Sequence, residues 1–141
     1  MAMDDPYDLQ RFLYAQAPAI EQARAELRGG KKRGHWMWFV FPQIAGLGRS
    51  DMAQKFAIAS LDEARTYAAH EILGPRLREC AALVVALEGR SVEEIFGSPD
   101  DLKFRSSMTL FAHAVPEEPV FQAALQKYFG GEEDRATLER L

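Results

Sequence analysis

Start and stop signals for helices recur from one end of this chain to the other, and no strand signal stands between them. Asp5 followed by Pro6 offers an N-cap and a first-turn proline, with Leu9, Phe12 and Leu13 on one side of the segment behind them. Pro18 interrupts, and Ile20, Ala23 and Leu27 then run at helical spacing until Gly29 and Gly30 stop the helix. Ser60 with Glu63 and Ser91 with Glu94 have capping-box spacing, in which a hydroxyl and a carboxylate satisfy free backbone N–H groups reciprocally. Gly74-Pro75 opens a helix that Gly89 closes. Ser98-Pro99 opens another, with a stripe of Phe104, Met108, Phe111, Ala112 and Val115. Pro119 starts a helix carrying Phe121, Ala124, Leu125 and Tyr128 as far as Gly130-Gly131, and the closing E-E-D-R-A-T-L-E-R-L reads as a short terminal helix. There is no sustained apolar–polar alternation and no Asn-Gly or Asp-Gly hairpin turn. The expected fold is all-α: a single compact multi-helix domain over residues 1–141, without repeat or linker.

Within that pattern one stretch is unusually dense. G-H-W-M-W-F-V-F-P-Q, residues 34–43, sets six large apolar side chains between a histidine and a proline. A strand over 36–41 would be nearly alone, with backbone groups unpaired inside a core. A short buried helix or irregular segment is expected instead, forming the centre around which the other helices pack. In a helix Trp36 and Trp38 point about 200° apart, so both are buried only if protein surrounds the segment. Trp38 is expected in the core on that basis. Gly34 lets the chain enter tightly, and Pro42 disfavours helical geometry at Phe41.

The length of 141 residues allows roughly two-thirds of the extended-chain surface to be removed from water, enough for a core without metal or disulfide. No apolar run approaches the roughly 18 residues that cross a bilayer, and the acidic start M-A-M-D-D-P is unlike a signal peptide. A cytoplasmic protein with no membrane partner is expected. Cys80 is the single cysteine and lies on an apolar stripe with Leu77, Ala81, Val84 and Leu87, which makes it a core residue. The net charge of −4 gives no attraction to DNA or RNA, and the basic run Lys31, Lys32 and Arg33 reads as a solvated loop. Oligomeric state has no signature in the chain.

Candidates for chemistry are few. Gly46 and Gly48 precede Ser50, an N-cap position, so this loop is either a structural turn or a set of amides for an anion that Arg49 would help to hold. Asp51 puts a carboxylate where that anion would sit. His35, His70 and His113 lack the i, i+4 pairing of a helical zinc site, so no metal and no cofactor are expected. His35 and His113 flank apolar blocks, as histidines satisfied by backbone or as a catalytic acid or base. Arg105, Thr109 and His113 share a helix face that either docks a polar ligand or caps neighbouring helices. Lys55 stands beside a stripe of Met52, Phe56 and Ala59. There its stem either runs along apolar surface with the ammonium in water, or its amine meets a pocket and becomes nucleophilic through partial desolvation.

Five blocks together carry a family resemblance: H-W-M-W-F-V-F-P-Q at 35–43, G-L-G-R-S at 46–50, S-L-D-E-A at 60–64, L-G-P-R-L at 73–77 and S-S-M-T-L-F at 106–111. In this order they resemble the bacterial domain-of-unknown-function family numbered eighteen-ten, which often carries the label calpastatin. The resemblance implies a small, mainly helical domain with no established activity, and a packed core is unlike a disordered protease inhibitor. A second similarity, to NADAR (YbiA-like) domains, lies in A-Q-K-F at 53–56, with R-S-D-M where those domains carry a Glu-containing lead-in. It implies NAD or ADP-ribose chemistry with Lys55 as the active-site lysine.

Two readings follow. In the first, a pocket beside the aromatic block binds or hydrolyses a nucleotide-like or ADP-ribosyl ligand. His35, Trp36, Trp38, Gln43, Arg49, Ser50 and Arg105 contact it, and Lys55 and His113 are the catalytic candidates. In the second, the chain is a non-enzymatic protein-interaction module with no small-molecule site. A concave pocket reached by Trp36 or Trp38 together with Lys55, Arg49 or His113 favours the first, and a filled core under flat surfaces favours the second.

Overall fold

The computed structural model describes residues 4–141. Among them lie ten helices: α1 (Gln10–Gln16), α2 (Ile20–Arg28), α3 (Met37–Val40), α4 (Asp51–Lys55), α5 (Leu61–Ala69), α6 (Leu73–Ala86), α7 (Val92–Phe96), α8 (Asp100–Ala114), α9 (Pro119–Phe129) and α10 (Arg135–Leu138). The fold is all-α. Among the described residues the one β-bridge is a parallel one between Ile44 and Ile58. α5, α6, α8 and α9 pack on one another, α2 lies on α6, and α1 lies on α3. The buried apolar side chains form one continuous cluster from Leu9 to Leu125.

The cap signals act largely as the sequence implies. Ser50, Ser60 and Ser91 each accept the amide three residues on, and Ser91 with Glu94 completes both halves of its box. Three starts differ. Asp5 is not the N-cap and Pro6 is not in the first turn: Asp8 has a positive φ of 52°, the N-cap is Leu9, and Asp5 reaches forward to accept from the amides of Leu9 and Gln10. Glu63 turns its carboxylate to the Ala59 amide and to Arg11, so the Ser60 box is half formed. α6 begins at Leu73, with His70 Nδ1 accepting from the amides of Ile72 and Leu73. Gly74 serves packing there: a Cβ on it would stand 2.2 Å from the Ala68 carbonyl oxygen.

The aromatic block is α3 and its flanks. Trp36, Met37, Phe39, Val40 and Phe41 are buried. Phe41 meets Phe96 and Phe104 edge-on, and Phe39 packs on Phe56. Trp38 is the exception. It is only half-buried, because the side of α3 opposite Trp36 packs against the core incompletely and lines a hollow. The stripe expected around Lys55 fails for a related reason. α4 ends after five residues, so Phe56 is buried while Met52 and Ala59 are exposed. Cys80 lies in the core, where burial, with the charge of Glu79, pushes its thiol up to about 12 and leaves it protonated and inert.

Candidate functional site

Trp38 faces a cavity of about 170 Å³ between α3, the loop 43–48, α4 and α8. Phe41 and Phe56 line it with Trp38, while Gln43 and Lys103 bring polar ends to it. The Lys103 ammonium stands 5.6 Å from the Trp38 ring centroid, within the range of a cation–π contact. It is also 3.4 Å from the Asp100 carboxylate, whose other oxygen is 2.9 Å from Lys32.

Two buttresses hold the walls. Behind Trp36, the Glu26 carboxylate accepts from the amides of Arg33 and Gly34 and from the Trp36 indole N–H through one oxygen, and from Gln22 through the other. Burial alone would raise the Glu26 pKa. The four donors overcome it and bring the group down to about 2. Behind Phe56, the Arg11 guanidinium donates to the carbonyls of Lys55 and Ala57 and to Glu63, each at 2.8 to 2.9 Å, and so fixes the end of α4. The Ile58 amide donates to the Gln43 carbonyl, and the Ala45 amide to the Ile58 carbonyl, each at 2.8 Å, which ties the loop to the same wall.

The candidates from the sequence divide among several places. Trp38 and Gln43 line the cavity. Trp36 is buried behind it and His35 is exposed beside it. Ser50 caps α4, and Arg49 is exposed, its carbonyl accepting from Gln54. Lys55 is outside the cavity: it is exposed, lines a separate depression with Arg11 and Tyr14, and rests its ammonium 5.4 Å from the Phe56 ring centroid. That is the arrangement of a lysine whose stem follows apolar surface. Arg105, Thr109 and His113 meet the chain after α9. Arg105 donates to the carbonyls of Glu132 and Glu133, the Thr109 hydroxyl accepts the Asp134 amide, and His113 Nε2 lies 2.6 Å from the Glu133 carboxylate. This face fastens the C-terminal segment. Lys103 was not singled out by the sequence, since its nearness to Trp38 comes from the packing of α8 against α3 and has no local spacing signal. Among the described residues no group of three or more His, Cys, Asp or Glu is placed to hold a metal, and no helix is long and apolar enough to cross a membrane.

Over residues 6–141 the chain matches the family described as "Protein of unknown function (DUF1810)", and it belongs to that family. No curated protein matches it. It is similar to the conserved hypothetical protein Rv1873 from Mycobacterium tuberculosis, known from a crystal structure at 1.38 Å. The two are 59% identical over 97% of this chain and 98% of that one, with a TM-score of 0.96. The resemblance to NADAR domains expected from A-Q-K-F is not shown.

Proposed function

We propose, with membership of that family as the premise, that the cavity beside Trp38 binds a small molecule carrying a flat, nucleotide-like ring. One observation carries the reading: an indole stands half out of an otherwise buried aromatic block, faces a cavity, and has an ammonium beside its ring. Ligand sites are typically concave and largely apolar, with a few convergent polar groups, and this one has that composition. A cavity of about 150 Å³ holds a benzene-sized guest, so at about 170 Å³ a heterocycle fits with its substituents at the mouth. The Gln43 amide can both donate to and accept from a ring edge. In the lining the amides of Gly46 and Gly48 donate no hydrogen bond to protein among the described residues, so they can meet phosphate or another anion together with Lys103, which shares Asp100 with Lys32.

The geometry supports binding over hydrolysis. The cavity lining holds no histidine, carboxylate or cysteine, and Lys55 and His113 lie outside it. A thermal-shift screen against nucleosides, nucleotides and ADP-ribose tests the reading. A ligand at about a hundred times its dissociation constant adds roughly 2.7 kcal/mol of stability. A shift seen in the natural protein and lost in Trp38→Ala supports the site. No shift with any of these compounds refutes it and leaves the interaction module as the account of the chain.

A further inference from the structure

A second hollow, of about 270 Å³, lies on the other side of the loop 43–48, between that loop and the first turns of α8 and α10. It shares Gln43, Gly48 and Lys103 with the Trp38 cavity, so these three residues form a common rim and Lys103 borders both spaces. We propose that the two hollows are subsites of one elongated site whose ligand has three parts: a flat ring against Trp38, an anionic bridge at Lys103, and a neutral, hydroxylated group in the second hollow. This inference rests on the reading that the Trp38 cavity binds a ring.

Charge places the bridge. Asp100 serves two ammonium groups, Lys32 at 2.9 Å and Lys103 at 3.4 Å, and of the two side chains Lys32 is 8% exposed and Lys103 28%. One carboxylate between two ammonium groups leaves one positive charge over, carried by the more exposed and more distant partner. A part-buried ammonium on a rim attracts an anion more strongly than one in open water, because the effective dielectric constant is lower. The distal group has different requirements. Asp134 lines the second hollow, and its Oδ2 is occupied by the Thr137 amide and hydroxyl, while its Oδ1 accepts nothing from the described residues. That oxygen repels a second anion and accepts from hydroxyls. The Ser106 hydroxyl already donates to the Leu102 carbonyl, so toward a ligand it too can only accept. Leu47, Pro99 and Leu102 supply an apolar wall for the C–H face of a pentose-like ring.

The partition between the hollows is fixed rather than loose. Gly46 has a φ of +99°, and Arg140 lies against it. A Cβ there would stand 2.6 Å from the guanidinium Nε, and Nη2 donates to the Gly46 carbonyl at 3.3 Å. The Thr109 hydroxyl, accepting the Asp134 amide at 2.9 Å, holds the opposite wall to α8.

Calorimetric titration with adenosine, ADP and ADP-ribose tests the proposal, because these add the parts one at a time. In the natural protein ADP should bind more tightly than adenosine by about tenfold or more, the value of a charge-assisted hydrogen bond, and Lys103→Met should close that gap. ADP-ribose should gain a further factor of roughly ten over ADP from its second pentose. Ala136→Phe and Leu102→Trp each fill the second hollow from residues outside the Trp38 cavity. Both should bind adenosine normally and lose the gain from ADP to ADP-ribose. ADP-ribose no tighter than ADP in the natural protein, or a gain that survives both blocking variants, overturns the second subsite while the ring site stands. Binding of none of the three compounds to the natural protein overturns the ring site and this inference with it.

Discussion

Trp36 and Trp38 are two residues apart and do different work. Trp36 is buried, and its indole N–H is one of the donors to Glu26. Trp38 is half-buried against the core and lines the cavity. Trp36→Ala should therefore cost about 3 to 5 kcal/mol in denaturant unfolding, through lost burial and the space left behind. Trp38→Ala should cost less than half of that, because much of its surface is not removed from water on folding. Equal losses would mean that both indoles are core. Glu26 gives a second test. Its folded pKa of about 2 is below the ordinary value of 4.5, so its contribution is complete above the unfolded value and is lost as pH falls from about 4.5 through about 2. Glu26→Gln should lower stability at pH 7 by about 1 to 3 kcal/mol and remove one proton from the uptake that accompanies acid unfolding in that window. A variant with an unchanged acid transition would show that the carboxylate does not organise the block. The density of apolar residues at 36–41 was legible as a core segment. Which indole stays in water was not, because that depends on where neighbouring helices end.

At the scale of elements, helix termini were the most readable feature and helix lengths the least. The caps at Ser50, Ser60 and Ser91 and the left-handed Gly130 closing α9 are short-range chemistry, decided within four residues, and they stand where the spacing puts them. α4 stops after one turn and α1 starts late, since the bridge between Ile44 and Ile58 and the turn at Asp8 claim the backbone on either side. These competitors lie far apart in sequence or in rare backbone regions, where periodicity has no voice. Gly74 is the sharpest case. It reads as a helix opener and acts as the contact that lets the end of α5 approach α6. Gly74→Ala should cost about 1 to 3 kcal/mol, since the added methyl meets a carbonyl 2.2 Å away and the two helices must separate. A melting temperature equal to that of the natural protein would show that the α5–α6 corner gives way freely. The Arg105–Thr109–His113 face illustrates the same limit for the site. Its spacing was visible in the sequence, but its partner is the chain around residue 133, a tertiary fact.

For the whole molecule, the apolar cluster runs without a break from Leu9 in α1's approach to Leu125 in α9. The natural protein should accordingly unfold in one transition, with circular dichroism and tryptophan emission reporting the same midpoint. Separate midpoints would divide the chain into independent units. The candidate site was half legible. The sequence offered Trp38 and Gln43, and the fold added Lys103, on α8, and the second hollow, between the loop 43–48, α8 and α10. The chain has two tryptophans, so Trp36→Phe leaves Trp38 as its single indole and makes the cavity wall its own reporter. Titration of that variant with ADP-ribose while emission is followed tests the central claim most directly. A ring stacked on the exposed indole face should quench the emission saturably, at the concentrations that raise the melting temperature of the same variant. A melting temperature that rises while Trp38 emission stays constant, or no saturable change in either, would contradict it.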